Sequence, residues 1–233
     1  MGTGSAKPSR NRNVSSFLLR LRTGAVVMFD SGEGTVGQLF QCAGRHGADQ
    51  VIRDLACVCI THLHADHHLG LVRLLLRRRQ LLGTDAPAPL IVAPTPVIKW
   101  LQRYSRLQDL GLRVANCLDL QTGTGGVPSE LAALGCTLLQ CVKVDHCYMA
   151  FGFVFAHQDG WKLVYSGDTR PCPALVRAGL DGEAAVGHRS CLPAVVDVAP
   201  TRVWRRAEDL KFSSPVRRGA EPPSAGLART PRG

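Results

Sequence analysis

Four of the eight histidines fall within seven residues, His62-Leu63-His64-Ala65-Asp66-His67-His68, directly after an apolar run. Alternate imidazoles at a strand end, with a carboxylate and another imidazole on the following turn, offer borderline nitrogen and hard oxygen ligands. Such a set suits one or two divalent ions, and zinc is the usual choice. The competing reading is a polar loop with chance clustering. Imidazoles packed this closely repel when protonated and need partners when buried, which weighs against it. A two-metal site needs further donors, including a carboxylate able to bridge ions about 3.5–4 Å apart. His146 and Asp168 are the candidates, each just beyond a β-like run. Taken alone, His146 would be an ordinary polar residue and Asp168 in Ser166-Gly167-Asp168-Thr169 a turn-former. The histidine cluster raises both.

The elements that must hold these residues alternate between strands and helices. Phe17 to Leu21 and Val26 to Phe29 read as a hairpin around Arg22-Thr23-Gly24, followed by the polar, Gly-rich loop Asp30 to Thr35. Val36 to Cys42 opens a helix. Leu55 to Thr61 is a continuous apolar run of the kind buried on both faces of a sheet, with Cys57 and Cys59 on one face. Leu69 to Leu82 reads as a helix carrying Arg77-Arg78-Arg79. Leu90 to Ala93 is a strand, and Val97 to Leu107 is a helix with Trp100 and Leu101 inward. Residues 119–130 read as loop. Thr137 to Val144 is β-like, and Phe151 to His157 with Trp161 to Ser166 form a second hairpin around Gln158-Asp159-Gly160. This order indicates a layered α/β domain.

Composition sets the outer bounds. The chain has 233 residues with 28 Lys+Arg against 18 Asp+Glu, and 23 of the basic residues are Arg. Arginine's planar fork suits phosphate, which points to a polyanionic partner. No apolar run is long enough to cross a bilayer. Nine Cys at irregular spacing, with no signal peptide, indicate free thiols and an intracellular protein; the absence of CxxC argues against a cysteine-based zinc site. Residues 1–29 hold no acid, which superficially suits a transit peptide, but Val14 to Phe29 reads better as part of the fold. After Asp181 the chain holds six Pro and five Gly and no Ile, Met or Tyr. Only Ala194 to Val198 looks like a strand there, and residues 181–233 are expected to be a divergent, disordered tail to a domain of residues 1–180.

Thr61 to Leu71, reading THLHADHHLGL, resembles the signature of the metallo-β-lactamase superfamily, and its HHxGL ending is similar to the tRNase Z family. Pro8-Ser9-Arg10-Asn11-Arg12-Asn13, Phe29 to Gln38, His146 to Gly152 and Gly160 to Thr169 support the same resemblance. The resemblance implies an αββα sandwich, here incomplete, with the first strand and the C-terminal part missing. It implies a zinc-dependent endoribonuclease that removes the 3′ trailer from precursor tRNA by metal-activated water attack. His62, His64 and His146 would hold one zinc, Asp66 and His67 the second, and Asp168 would bridge them. Asp66 would also orient or deprotonate the nucleophile. Arg10, Arg12 and Asn13 lie in the loop that would meet the RNA, and His68 is given a supporting role. The family implies a mitochondrial or nuclear protein, homodimeric in some cases and not membrane-bound.

After Asp168 the family pattern continues with further histidine motifs, including a ligand of the second zinc and a proton donor to the leaving oxygen. The single later histidine, His188, matches none of them. One zinc with a complete ligand set and a weaker second are therefore expected, with precursor tRNA cleaved very poorly or not at all. The alternative to a working nuclease is a truncated chain that binds zinc without cleaving tRNA. A small-ester hydrolase of the same superfamily is a third reading, disfavoured by DHHLGL and the Arg-Asn loop.

Overall fold

The computed structural model describes residue 6, residues 13–122 and 126–180, and the backbone of residues 185–186. Arg10, Arg12, His188 and the strand expected at Ala194 to Val198 lie outside the described residues.

Two sheets face each other. The first runs in the order β1 (Phe17–Arg20), β2 (Val26–Phe29), β3 (Leu55–Cys59), β4 (Leu90–Ala93), β5 (Arg113–Asn116). The β1–β2 pair is the expected antiparallel hairpin, and the remaining pairs are parallel. The second runs β6 (Cys136–Lys143), β7 (Phe151–His157), β8 (Lys162–Tyr165), β9 (Ala185–Val186), antiparallel except for its last pair.

The two-residue period of the strands decides what each face meets. From β2 and β3, Val27, Phe29, Cys57 and Cys59 point into the space between the sheets. There they join Leu139, Cys141, Phe153, Phe155 and Tyr165 in one core. Val26, Met28, Val58 and Ile60 point the other way, onto a second core. That core is closed by Val36, Leu39 and Ile52 of α1 (Thr35–Arg53), Leu71, Leu74 and Leu75 of α3 (Leu71–Leu82), and Val97, Ile98 and Leu101 of α4 (Thr95–Ser105). A short helix α2 (Ala65–His68) precedes α3. On the outer face of the second sheet, Val142, Val154 and Val164 pack with Leu175. Leu175 belongs to the helix Pro173–Leu180, which follows a one-turn helix at Ser129–Ala132. The layers are therefore helix, sheet, sheet, helix, as the resemblance implied. β3, buried on both faces except for a half-buried Ala56, bears out its continuous apolar run as a two-faced strand.

Several elements go beyond the sequence reading, among them short helices at Cys117–Leu120 and Ser129–Ala132 that overlap the loop expected over residues 119–130. α1 runs on past Cys42 to Arg53 through a kink at Gly44, whose φ of 65 and ψ of 175 are not helical. β5 has no apolar run to announce it, because its first residues, Arg113 and Val114, are exposed. Pro173–Leu180 was not expected as a helix, yet it covers the second sheet.

Candidate metal centre

The strands deliver the chemistry at their C-terminal ends. β3 runs through Ile60 and Thr61 into His62; β6 leads to His146; β8 leads through Ser166 and Gly167 to Asp168; β2 leads to Asp30. His64 caps the N-terminus of α2, which carries Asp66, His67 and His68. Two glycines allow α2 to sit where it does. A Cβ at Gly32 would run into the Asp66 carbonyl, and one at Gly70 would run into the Gly32 carbonyl. In that bare contact Ser31 N–H donates to the His67 carbonyl at 2.8 Å and Gly70 N–H to the Ser31 carbonyl at 2.9 Å. The two sheets are also joined here, by Phe151 N–H donating to the Thr61 carbonyl at 3.0 Å.

Three imidazoles converge. His64 Nδ1 lies 3.0 Å from His62 Nε2 and 3.0 Å from His146 Nε2. Tetrahedral ligands about 2.0–2.1 Å from one zinc are themselves about 3.3 Å apart, so the spacing fits a shared ion. Burial and then the neighbouring imidazoles His67, His146 and His64 push His62 down to about 2, which keeps it neutral and ligand-competent. Burial lowers His146 as well.

The second cluster is built around His67. Its Nε2 is buried without a hydrogen-bond partner. It stands 3.6 Å from Asp66 Oδ2 and 3.5 Å from Asp168 Oδ2, too far for a good hydrogen bond and suited to a cation between them. Burial opposes a charge on His67, but Asp30 and Asp168 outweigh it and raise the imidazole to about 10. Asp168 Oδ2 is also 3.9 Å from His146 Nε2, so one carboxylate adjoins both clusters. The neighbouring His67 imidazole holds it below the usual carboxylate range. Donor atoms of His62, His64, His146 and Cys147 lie within 4.8 Å of one another, as do those of His62, His67 and Asp168. This donor chemistry, with an orphaned buried nitrogen, fits zinc.

Asp30 is the residue that the motif reading missed. It is fully buried, with a left-handed φ of 56. Its carboxylate accepts from Thr61 N–H at 2.8 Å, from His67 Nδ1 at 2.7 Å and from the Tyr165 hydroxyl at 3.0 Å. Thr61 Oγ1 stands 3.0 Å from Asp30 Oδ1 and 2.9 Å from His62 Nδ1. If Thr61 gives its single proton to Asp30, it must accept from His62 Nδ1–H. The network thus assigns the Nδ1–H tautomer to His62 and, through the direct bond, places a proton on His67 Nδ1. Both Nε2 atoms are left for a metal. The only signal in the sequence was an acid immediately after a buried strand.

His68, for which a supporting role is expected, bonds the His64 carbonyl through Nδ1 at 2.8 Å and meets Trp100 edge-on at 4.7 Å. Asp66 is held by Ala6 N–H, which donates to Oδ2 at 2.7 Å. Asn13 is buried beside Gly34, and its amide nitrogen has no protein partner. Several arginines are committed to acids, Arg77 to Asp49, Arg79 to Asp109, Arg113 to Glu130 and Arg20 to Asp54.

A family described as Anti-Pycsar protein Apyc1 matches residues 1–189. The zinc phosphodiesterase ELAC protein 2 of Rattus norvegicus is 43% identical over 206 residues, covering 82% of this chain and 25% of that protein. The mitochondrial tRNase Z TRZ3 of Arabidopsis thaliana is 33% identical over 251 residues, 85% of this chain and 28% of its own length. The chain thus spans about a quarter of the length of these curated relatives. Among solved structures, a long-form RNase Z from yeast superposes with a TM-score of 0.65 at 23% identity, over 77% of this chain and 30% of that one. YhfI from Bacillus subtilis, a metallo-β-lactamase fold protein, gives 0.59 at 15% identity, over 78% and 67%.

Proposed function

Because this chain belongs to the Anti-Pycsar protein Apyc1 family, with tRNase Z homologues and the metallo-β-lactamase fold, we propose that it is a zinc-dependent phosphodiesterase that removes the 3′ trailer of precursor tRNA. The observation that carries this reading is the position of Asp168 Oδ2, within 4 Å of ligand nitrogens in both clusters. Zinc there would activate water and neutralise charge on the phosphodiester. His62, His64 and His146 would hold one ion, and His67 and Asp66 the other, with Asp168 between. Asp30 keeps the lone pairs of His62 and His67 aimed inward. Asp66, with Oδ2 tied to Ala6, has Oδ1 to orient the attacking water and accept its proton. Arg10 and Arg12 would contact the RNA backbone, with Asn13 next to them in the sequence. The chain's net charge of +10 favours the same polyanion. Two curated relatives are named mitochondrial, which supports a mitochondrial setting, with a nuclear one as the alternative; a homodimer and a domain boundary near residue 180 complete the reading.

The test is a precursor tRNA with a 3′ trailer, incubated with zinc-loaded chain while zinc stoichiometry is read by plasma mass spectrometry. Trailer release that stops with chelator and in Asp168→Asn supports the proposal. Zinc bound in both clusters with the precursor left intact overturns it in favour of a zinc-binding chain without nuclease activity.

A further inference from the structure

The sequence offers no CxxC, yet the fold brings one thiol to the histidines. Cys147 Sγ and the ligand nitrogens of His62, His64 and His146 all lie within 4.8 Å of one another. Cys147 follows His146 in the turn between β6 and β7, is partly buried against the outer core of the second sheet, and its Sγ lies 3.8 Å from the Tyr148 carbonyl. The other described cysteines are placed elsewhere: Cys57, Cys59, Cys117, Cys136 and Cys141 in the inter-sheet core, Cys42 exposed on α1, and Cys172 against the Lys143 carbonyl.

We propose that Cys147 is a metal ligand, completing a His62–His64–His146–Cys147 site for a single zinc or cobalt ion. This rests on the reading of the cluster as a metal centre and adds a ligand to it. Three imidazoles and one thiolate make a full tetrahedral set, the closed arrangement of sites that hold metal without exposing it to water. The bond forms as the thiol releases its proton to solvent and sulfur donates its electron pair to the ion; nothing is oxidised or reduced. Sulfur as the fourth ligand selects zinc or cobalt over magnesium and manganese, which prefer oxygen.

The test is titration of the full, metal-free chain with cobalt(II), followed by absorption. The wild type is expected to show tetrahedral d–d bands together with a near-ultraviolet thiolate-to-cobalt charge-transfer band. Cys147→Ser should lose the charge-transfer band and keep the d–d bands, and Cys172→Ser should keep both. A wild-type spectrum with d–d bands and no thiolate band overturns the proposal and leaves the phosphodiesterase reading standing. The same holds if the thiolate band survives in Cys147→Ser. Failure to bind cobalt at all overturns both. Should Cys147→Ser not fold, Cys147→Ala and zinc K-edge absorption of the wild type, which separates sulfur from nitrogen neighbours, decide the matter.

Discussion

Among single residues, Asp30 governs the centre without touching a metal. Asp30→Asn would keep the shape but place a donor amide among hydrogens that need acceptors. It should weaken zinc binding about 10- to 100-fold, the usual effect of losing a ligand's supporting carboxylate, measured by competition with a chromophoric chelator. Tyr165 gives a pH-dependent counterpart. Burial, then the Asp30 charge, raise its hydroxyl well above the ordinary value. A raised folded-state value contributes stability that is complete below the unfolded value of about 10 and disappears as pH rises beyond it. Tyr165→Phe should therefore be less stable than wild type at neutral pH by about 1.5–3 kcal/mol, the usual worth of a hydrogen bond to a charged group. Its chemical denaturation midpoint should then fall less steeply above about pH 10, since the titrating group is gone. The proposed metal ligands were legible because His62, His64, Asp66 and His67 share one short segment. Asp30 was not, because its role depends on a left-handed backbone that carries it back onto residues thirty positions further on. Cys147 escaped for a related reason: its partners in space are not its partners in spacing.

At the level of elements, the contact between the Asp30–Thr35 loop and α2 is set by glycine. Gly70 has an ordinary helical φ of −73, so its requirement is steric, not conformational. Gly70→Ala should cost about 1–3 kcal/mol, as overpacking does, and should lower zinc affinity by displacing the turn that carries His67. Thermal unfolding with and without zinc separates the two effects. Gly37, in α1 with nothing within 4 Å of its would-be Cβ, is the control. Gly37→Ala should stabilise by about 0.5–1 kcal/mol through helix propensity alone. Legibility at this scale followed burial. β2, β3 and β4 are apolar on both faces and stand out in the sequence; β5, half exposed at the sheet's edge, does not. The second half of α1 was hidden because Gly44 and Gly47 look like a stop, and Gly44 does supply a kink, but Ala48 and Ile52 resume the buried stripe.

For the whole molecule, the αββα layering places the candidate metal centre across a seam. His62, His64 and His67 follow the first sheet; His146 and Asp168 follow the second. Phe29, Phe153 and Tyr165 fill the space between, with Phe29 and Tyr165 ring centres 5.3 Å apart. Phe153→Ala should destabilise the fold by about 3–5 kcal/mol and lower zinc affinity together, because both depend on the two sheets meeting. Zinc in turn should raise the unfolding midpoint in proportion to ln[Zn], near 2.7 kcal/mol of added stability at one hundred times the dissociation constant. A scan across zinc concentrations checks this.

The seam has a temporal side. His62, His64 and His67 can gather around an ion while the chain is still largely unfolded, since little loop must close to bring them together. His146 lies 82 residues beyond His64 and arrives only when the sheets dock. An ion caught early would wait at one edge of the unfinished protein and hold the place where the second sheet must land. Refolding in the presence of zinc should then be faster than refolding in its absence, so the metal would serve the chain as a guide to assembly before it serves any substrate.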